Sequence, residues 1–187
     1  AITLPTLKWL SDPVGLRQNL GIFAERLLSG GFGDVPQNVI IEIGSEYYGH
    51  AVDLGMTAEE LAPLYGGLAA DMIEILRAIE ADATINTQGV TLQIGVQAGR
   101  SDADASLIID GMQDTALAQV DYVIMARMPL NFGGVDRTIE DYHQTLDAWT
   151  EAVVGAGGDA PDVFMTSFNV ASPTRDEALR AYIETMA

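Results

Sequence analysis

Apolar positions along this chain switch between two periods. From Val14 to Leu28, residues Leu16, Leu20, Phe23, Ala24, Leu27 and Leu28 recur near every 3.6 residues, which predicts a helix with one buried face. The glycine-rich stretch Ser29-Gly30-Gly31-Phe32-Gly33-Asp34 ends it. Asn38-Val39-Ile40-Ile41-Glu42-Ile43-Gly44 is then a β-branched run of the kind that forms a buried strand. Thr57 and Glu60 spell a capping box, so a helix starts there and runs through Leu68, Met72, Ile75, Leu76 and Ile79 to about Ala81. Pro63, within its first turns, is a candidate break.

The alternation continues. Val90 to Val96 predicts a second strand. Asp102 predicts the cap of a helix carrying Leu107, Ile108, Met112 and Leu117. Val120 to Met125 predicts a third strand, and Thr138 and Asp141 open a helix through Tyr142, Leu146 and Trp149, closed by Gly155-Ala156-Gly157-Gly158. Val163 to Thr166 predicts a fourth strand, and Thr174 and Glu177 open a last helix. Strands alternating with helices imply right-handed βαβ units, a parallel sheet and the α/β class. No composition break or linker divides residues 1–187, so one domain is expected.

Two architectures suit four parallel strands. One is a small, open, doubly wound sheet, which the length favours. The other is part of a (β/α)8 barrel, whose full form takes roughly 250 residues. No strand leads into a Gly-x-Gly-x-x-Gly or Walker loop, so the pattern offers no nucleotide site. The Gly30–Asp34 stretch precedes a strand, misses the calcium-repeat spelling by one position, and reads as a turn.

Charge narrows the partners. The chain has 27 Asp and Glu against 9 Lys and Arg, a formal net charge of −18, which would repel a nucleic acid rather than bind one. No apolar run approaches the roughly 20 residues of a membrane helix. No signal-peptide pattern is visible in these residues. Cysteine is absent, which excludes disulfides, thiolate metal sites and cysteine nucleophiles. An acidic, lysine-poor, cysteine-free chain suits bacterial secretion into a calcium-rich medium, so an extracellular or secreted protein is expected, the alternative being an acidic cytosolic one.

In either architecture the working residues stand beyond the C-terminal strand ends. These positions read Gly44-Ser45-Glu46-Tyr47-Tyr48-Gly49, Gln97-Ala98-Gly99-Arg100, Ala126 to Asn131, and Ser167-Phe168-Asn169. Glu46 is the one carboxylate directly at a strand end, and the tyrosines after it could stack on a sugar face. His50 is a candidate cleft residue, while His143 reads as surface or packing. Asp102 and Asp104 read as helix caps, and Asp159 and Asp162 as a solvated turn. Glu42, inside the strand, reads as a packed and paired carboxylate.

Ile41-Glu42-Ile43-Gly44-Ser45-Glu46-Tyr47-Tyr48-Gly49 resembles the strand-four signature of clan A retaining glycoside hydrolases. It is similar to glycosidase-like domains of large bacterial secreted proteins, which read Ile-Glu-Ile-Gly-Asn-Glu-Tyr-Trp and continue with Met-Thr and a helix, as Met56-Thr57 does here. Val90–Gly95, Val120–Pro129 and Val163–Val170 resemble strands five, six and seven of that barrel. The resemblance implies a partial (β/α)8 (TIM) barrel whose strands one to three and eight come from another chain or the rest of a larger polypeptide. It implies Glu46 as acid/base, with Ser45, Tyr47, Tyr48, His50, Gln97, Asn131, Phe168 and Asn169 around a carbohydrate, and neither cofactor nor metal. The nucleophile Glu of the family falls on Ser167, and its Asn on Ser45. A retaining mechanism needs two carboxylates, so the expectation is a carbohydrate-handling pseudoenzyme, the alternative being a non-catalytic structural or adhesion domain.

Overall fold

Five strands, all parallel, lie side by side in the order of the sequence: β1 (Ile2–Leu4), β2 (Asn38–Ile43), β3 (Thr91–Gln97), β4 (Tyr122–Arg127) and β5 (Asp162–Phe168). This computed structural model describes residues 1–6, 9, 10, 12–127, 135–168 and 184, and the statements below concern those. The crossovers are α1 (Pro13–Leu28), α2 (Ala51–Leu54) with α3 (Ala58–Ala81), α4 (Asp102–Asp110) with α5 (Asp114–Leu117), and α6 (Val135–Gly155). The last helix expected from Thr174 lies outside the described residues except at Glu184, which is helical.

The pattern predicts four strands, and the structure adds β1. Three residues before Pro5 give no periodicity to read. They become a strand only by pairing Ile2, Thr3 and Leu4 with Ile41, Glu42 and Ile43. The strand order overturns the doubly wound alternative, which needs a reversal of order at a switch point. Helix contacts run α1–α3, α3–α4 and α4–α6, so successive helices are neighbours on one face. Pro63 does not break α3, which is continuous over 24 residues, because Pro63 falls near its N-terminus, where few helical hydrogen bonds are lost. The Thr57–Glu60 capping box forms with both bonds, at 2.8 and 3.2 Å. Ser101, not Asp102, caps α4, and Leu117 belongs to the separate α5.

Strand alternation divides the side chains. Val39, Ile41 and Ile43, Leu92, Ile94 and Val96, and Val123 and Met125 pack under the helices as the main core. The other face carries Thr3, Glu42, Gln93, Gly95, Gln97 and Ile124. There the missing side chain of Gly95 makes room for Ile124, whose Cδ1 would lie 2.7 Å from a Cβ at that position. No helix among the described residues is long and apolar enough to cross a membrane.

Two glycines set the closest helix approach. A Cβ on Gly66 of α3 would stand 2.1 Å from the Ile108 carbonyl oxygen, and one on Gly111 would stand 2.2 Å from that of Pro63. Both obstacles are backbone, so relief requires moving a helix. Gly66→Ala is expected to cost about 2–3 kcal/mol despite the better helix propensity of alanine. In a thermal melt that is a drop of roughly 4–12 °C for a chain of this size.

Candidate functional site

The turn after β2 is the most unusual backbone among the described residues. Gly44 has φ 74°, and Glu46 is the one non-glycine residue with positive φ, at φ 46° and ψ 52°. Left-handed geometry disfavours a side chain with a Cβ and recurs where function fixes a residue's direction. Gly44 is required for a second reason: a Cβ there would meet the Thr6 side chain at 2.9 Å. The turn leads into a single 3-10 turn, Tyr47–His50, closed by the Gly49 N–H donating to the Glu46 carbonyl at 2.8 Å.

Ser45 and Glu46 are exposed, Tyr48 and His50 half-buried, and Tyr47 buried. Glu46 has no hydrogen-bond partner for its carboxylate among the described residues, which leaves it available to solvent or ligand. Tyr47 points inward and stacks on Tyr65 of α3, with centroids 4.6 Å apart and planes at 10°. Of the two tyrosines after Glu46, Tyr48 is therefore the one that reaches the surface. The Arg100 guanidinium sits 5.6 Å from the centre of its ring. Arg100 donates to Asp104 at 2.7 Å and to Glu59 at 3.4 Å, and the Asp104 bond raises its pKa. Asp104, expected as a cap, is thus a buried ion-pair partner.

Beneath the turn lies a polar row across three strands. The Thr3 hydroxyl donates to Glu42 Oε2 at 2.8 Å, and Gln97 Nε2 donates to Glu42 Oε1 at 3.0 Å and to the Gly44 carbonyl at 3.4 Å. Glu42 is packed and paired as expected. Gln97 is buried and spends its amide on this row, tying β3 to the turn that presents Glu46. Tyr65 makes a second tie: its hydroxyl donates to the Ile43 carbonyl at 2.6 Å and accepts from the Gln97 N–H at 3.0 Å. Trp149 of α6 donates to the Ala98 carbonyl at 3.0 Å, fixing the neighbouring strand end.

The parallel sheet puts the end of β5 on the same side as Glu46, and Ser167 pairs in register with Ala126 after an irregularity at Met125/Ala126. Phe168, the last residue of β5, pairs with Arg127. Asn131 and Asn169 lie outside the described residues. His143 is exposed on α6. No group of three or more His, Asp or Glu among the described residues could hold a metal ion. The sequence reading missed the Glu59–Arg100–Asp104 set. Its only signal was Arg100 and Asp104 four apart, a spacing that means an ion pair only if a helix begins between them.

Burial pushes the Tyr65 and Tyr47 phenols well above their ordinary value, Tyr47 further raised by Asp104. The unfolded chain ionises its tyrosines near about pH 10 while these two stay neutral when folded. Their contribution is therefore complete below that pH and is lost as pH rises, by about 1.4 kcal/mol per unit for each tyrosine. Alkaline titration is expected to release phenolate absorbance from Tyr47 and Tyr65 only together with loss of the circular dichroism signal.

Comparison with family models, with curated proteins and with solved structures finds no match to this chain.

Proposed function

We propose that this chain carries the acid/base half of a glycoside hydrolase-like carbohydrate site, with β2 to β5 corresponding to strands four to seven of a (β/α)8 barrel. The observation that carries this reading is Glu46. It is an exposed carboxylate with no partner among the described residues, in a left-handed turn at the C-terminal end of a parallel strand, two residues before Tyr48. A barrel puts its reacting groups at that end, and sequential strand order with helices on one face is how a barrel is wound.

In this reading Glu46 is a proton donor and Tyr48 a platform for a sugar ring, while Ser167 stands where a nucleophilic carboxylate is needed. A serine there supplies neither a stable covalent intermediate nor a negative charge against an oxocarbenium-like transition state. The function is carbohydrate binding with the hydrolytic step lost. The remaining barrel strands come from another chain or from further polypeptide, and the acidic, cysteine-free composition supports an extracellular setting.

Isothermal calorimetry with a panel of oligosaccharides is the test. Binding that Tyr48→Ala weakens and Glu46→Gln alters is the expected result. No heat with any sugar, from a chain shown to be folded, would favour a structural or adhesion domain.

A further inference from the structure

Two costs fall on adjacent residues of the turn after β2. Glu46 holds a left-handed backbone at φ 46°, which a side chain with a Cβ disfavours. Tyr47 is 2% exposed, and its hydroxyl is buried with no hydrogen-bond partner among the described residues. A buried hydroxyl left unpaired lowers stability. Costs of this kind persist only where the surroundings over-determine the conformation, so residues 46 and 47 are held from outside the turn.

One side chain follows the turn from end to end. Tyr65, fully buried on α3, reaches the residue before it, its hydroxyl donating to the Ile43 carbonyl at 2.6 Å. The same hydroxyl accepts from the Gln97 N–H at 3.0 Å, just past Ile43 and Val96, the last pair of the β2–β3 ladder. The middle of the turn runs against the ring edge, since a Cβ on Gly44 would lie 3.3 Å from Tyr65 Cε2. The residue after Glu46 lies on the ring face, with Tyr47 stacked at 4.6 Å. Tyr65 is itself firmly seated. Leu61, Leu68 and Ala69, on the same stripe of α3, are buried. Its neighbour Gly66 brings α3 against the Ile108 backbone.

We infer that Tyr65 is the positioning residue of the candidate site. Its hydroxyl grips residue 43 and its ring grips residue 47, and the chain between them is forced into the left-handed form that turns Glu46 outward. A carboxylate presented in this way is preorganised by a rigid helix rather than by the loop it stands on. The inference rests on Glu46 as the working group of the proposed site, and not on what Glu46 meets there. The grip has a thermodynamic signature. Glycine adopts positive φ freely, so Glu46→Gly relieves a cost, but only while Tyr65 enforces it. With phenylalanine at position 65 the ring stack stays, the Ile43 carbonyl loses its tie to α3, and the turn can relax with its glutamate in place.

A cycle of thermal melts tests it, with no sugar present. Glu46→Gly is expected to raise the melting temperature of the parent by about 2–4 °C. In the Tyr65→Phe background the gain is expected to fall below about half of that, because the two sites are coupled. A tyrosine that merely supports the core would lower both melts equally and leave the gain intact. Tyr47→Leu, which removes the ring stack and keeps the hydroxyl of Tyr65, is expected to shrink the gain likewise, and it decides the matter should Tyr65→Phe not fold. No gain from Glu46→Gly in the parent, or an undiminished gain in either background, would overturn the proposal. A chain that shows the reduced gain and binds no carbohydrate keeps the positioning role of Tyr65 and loses only the sugar.

Discussion

Ser167→Glu is expected to raise the turnover of activated aryl glycosides by at least about 10³-fold over the unmodified chain, and Glu46→Gln in that background should abolish the gain. The size follows from the division of labour in a retaining mechanism. The nucleophile forms the covalent glycosyl bond and faces the developing positive charge, while the acid/base protonates the leaving oxygen. With Glu46 alone, water must attack an unassisted anomeric carbon. An aryl leaving group needs little protonation, so the first step with these substrates reports the nucleophile position, while Glu46 is still needed as the base that activates water against the glycosyl-enzyme. The strand carrying Ser167 is parallel to the one before Glu46 and ends on the same side of the sheet, the minimum condition for a carboxylate there to oppose it. Equal rates in both proteins would remove position 167 from the site. Clear activity in the unmodified chain, lost in Glu46→Gln, would mean that a second carboxylate acts from elsewhere.

Much of the fold was legible because its determinants are local. The β-branched runs at Val39–Ile43 and Leu92–Val96, the capping box at Thr57 and Glu60 and the glycines after α6 each act within a few residues. They gave the α/β alternation and the element boundaries to within a few positions. What depended on contact across the sequence was not legible. β1 is three residues that form a strand only because Ile41 to Ile43 lie beside them. The order of the strands, which separates a singly wound sheet from a doubly wound one, is a property of pairing and left no mark in the periodicity.

The candidate site divides in the same way. Glu46 was found from its place after a strand, but its left-handed backbone was not foreseen, because the preference for glycine at such a φ argues against a glutamate there. Tyr47 and Tyr48 are adjacent and chemically alike, and only packing separates them: Tyr65, reaching up from α3, takes the face of Tyr47 and leaves Tyr48 at the surface. Gln97 stood at a strand end where a ligand contact was expected, and the structure gives its amide to Glu42 and Gly44. A strand-end position says which side of the sheet a residue is on; whether its side chain is spent on a neighbour is decided by residues far away in sequence.

Arg77→Met is expected to cost about 2–4 kcal/mol of stability, a loss of roughly 4–16 °C in melting temperature for a chain of this size. β3 begins at Thr91, but its pairing with β4 begins only at Gly95. On that side the Ile94 carbonyl accepts from the Asp121 N–H at 3.0 Å, but the Leu92 N–H and carbonyl and the Ile94 N–H have no strand to meet. Side chains replace it. Glu80 accepts from the Leu92 N–H at 2.7 Å, Asp121 accepts from the Ile94 N–H at 2.6 Å, and Arg77 donates to the Leu92 carbonyl at 2.9 Å and the Gln119 carbonyl at 3.0 Å. Arg77 also pairs with both carboxylates, Glu80 at 2.7 Å and Asp121 at 2.6 Å. Burial works against its charge, and the hydrogen bond to Glu80 with the charge and hydrogen bond of Asp121 outweighs it, so its pKa is raised. Methionine keeps the apolar stem but leaves two carbonyls without their donor and two carboxylates without their cation. Asp121 is 38% exposed, and solvent screening at that side holds the loss below the 3–5 kcal/mol of a fully buried pair. Adding Asp121→Asn should recover part of the loss, because the amide oxygen can still accept from Ile94 while one uncompensated charge is removed. Chemical denaturation of the two variants beside the parent measures both steps. An Arg77→Met chain within about 0.5 kcal/mol of the parent, the range of ordinary surface substitutions, would show that water serves the start of β3 as well as Arg77 does.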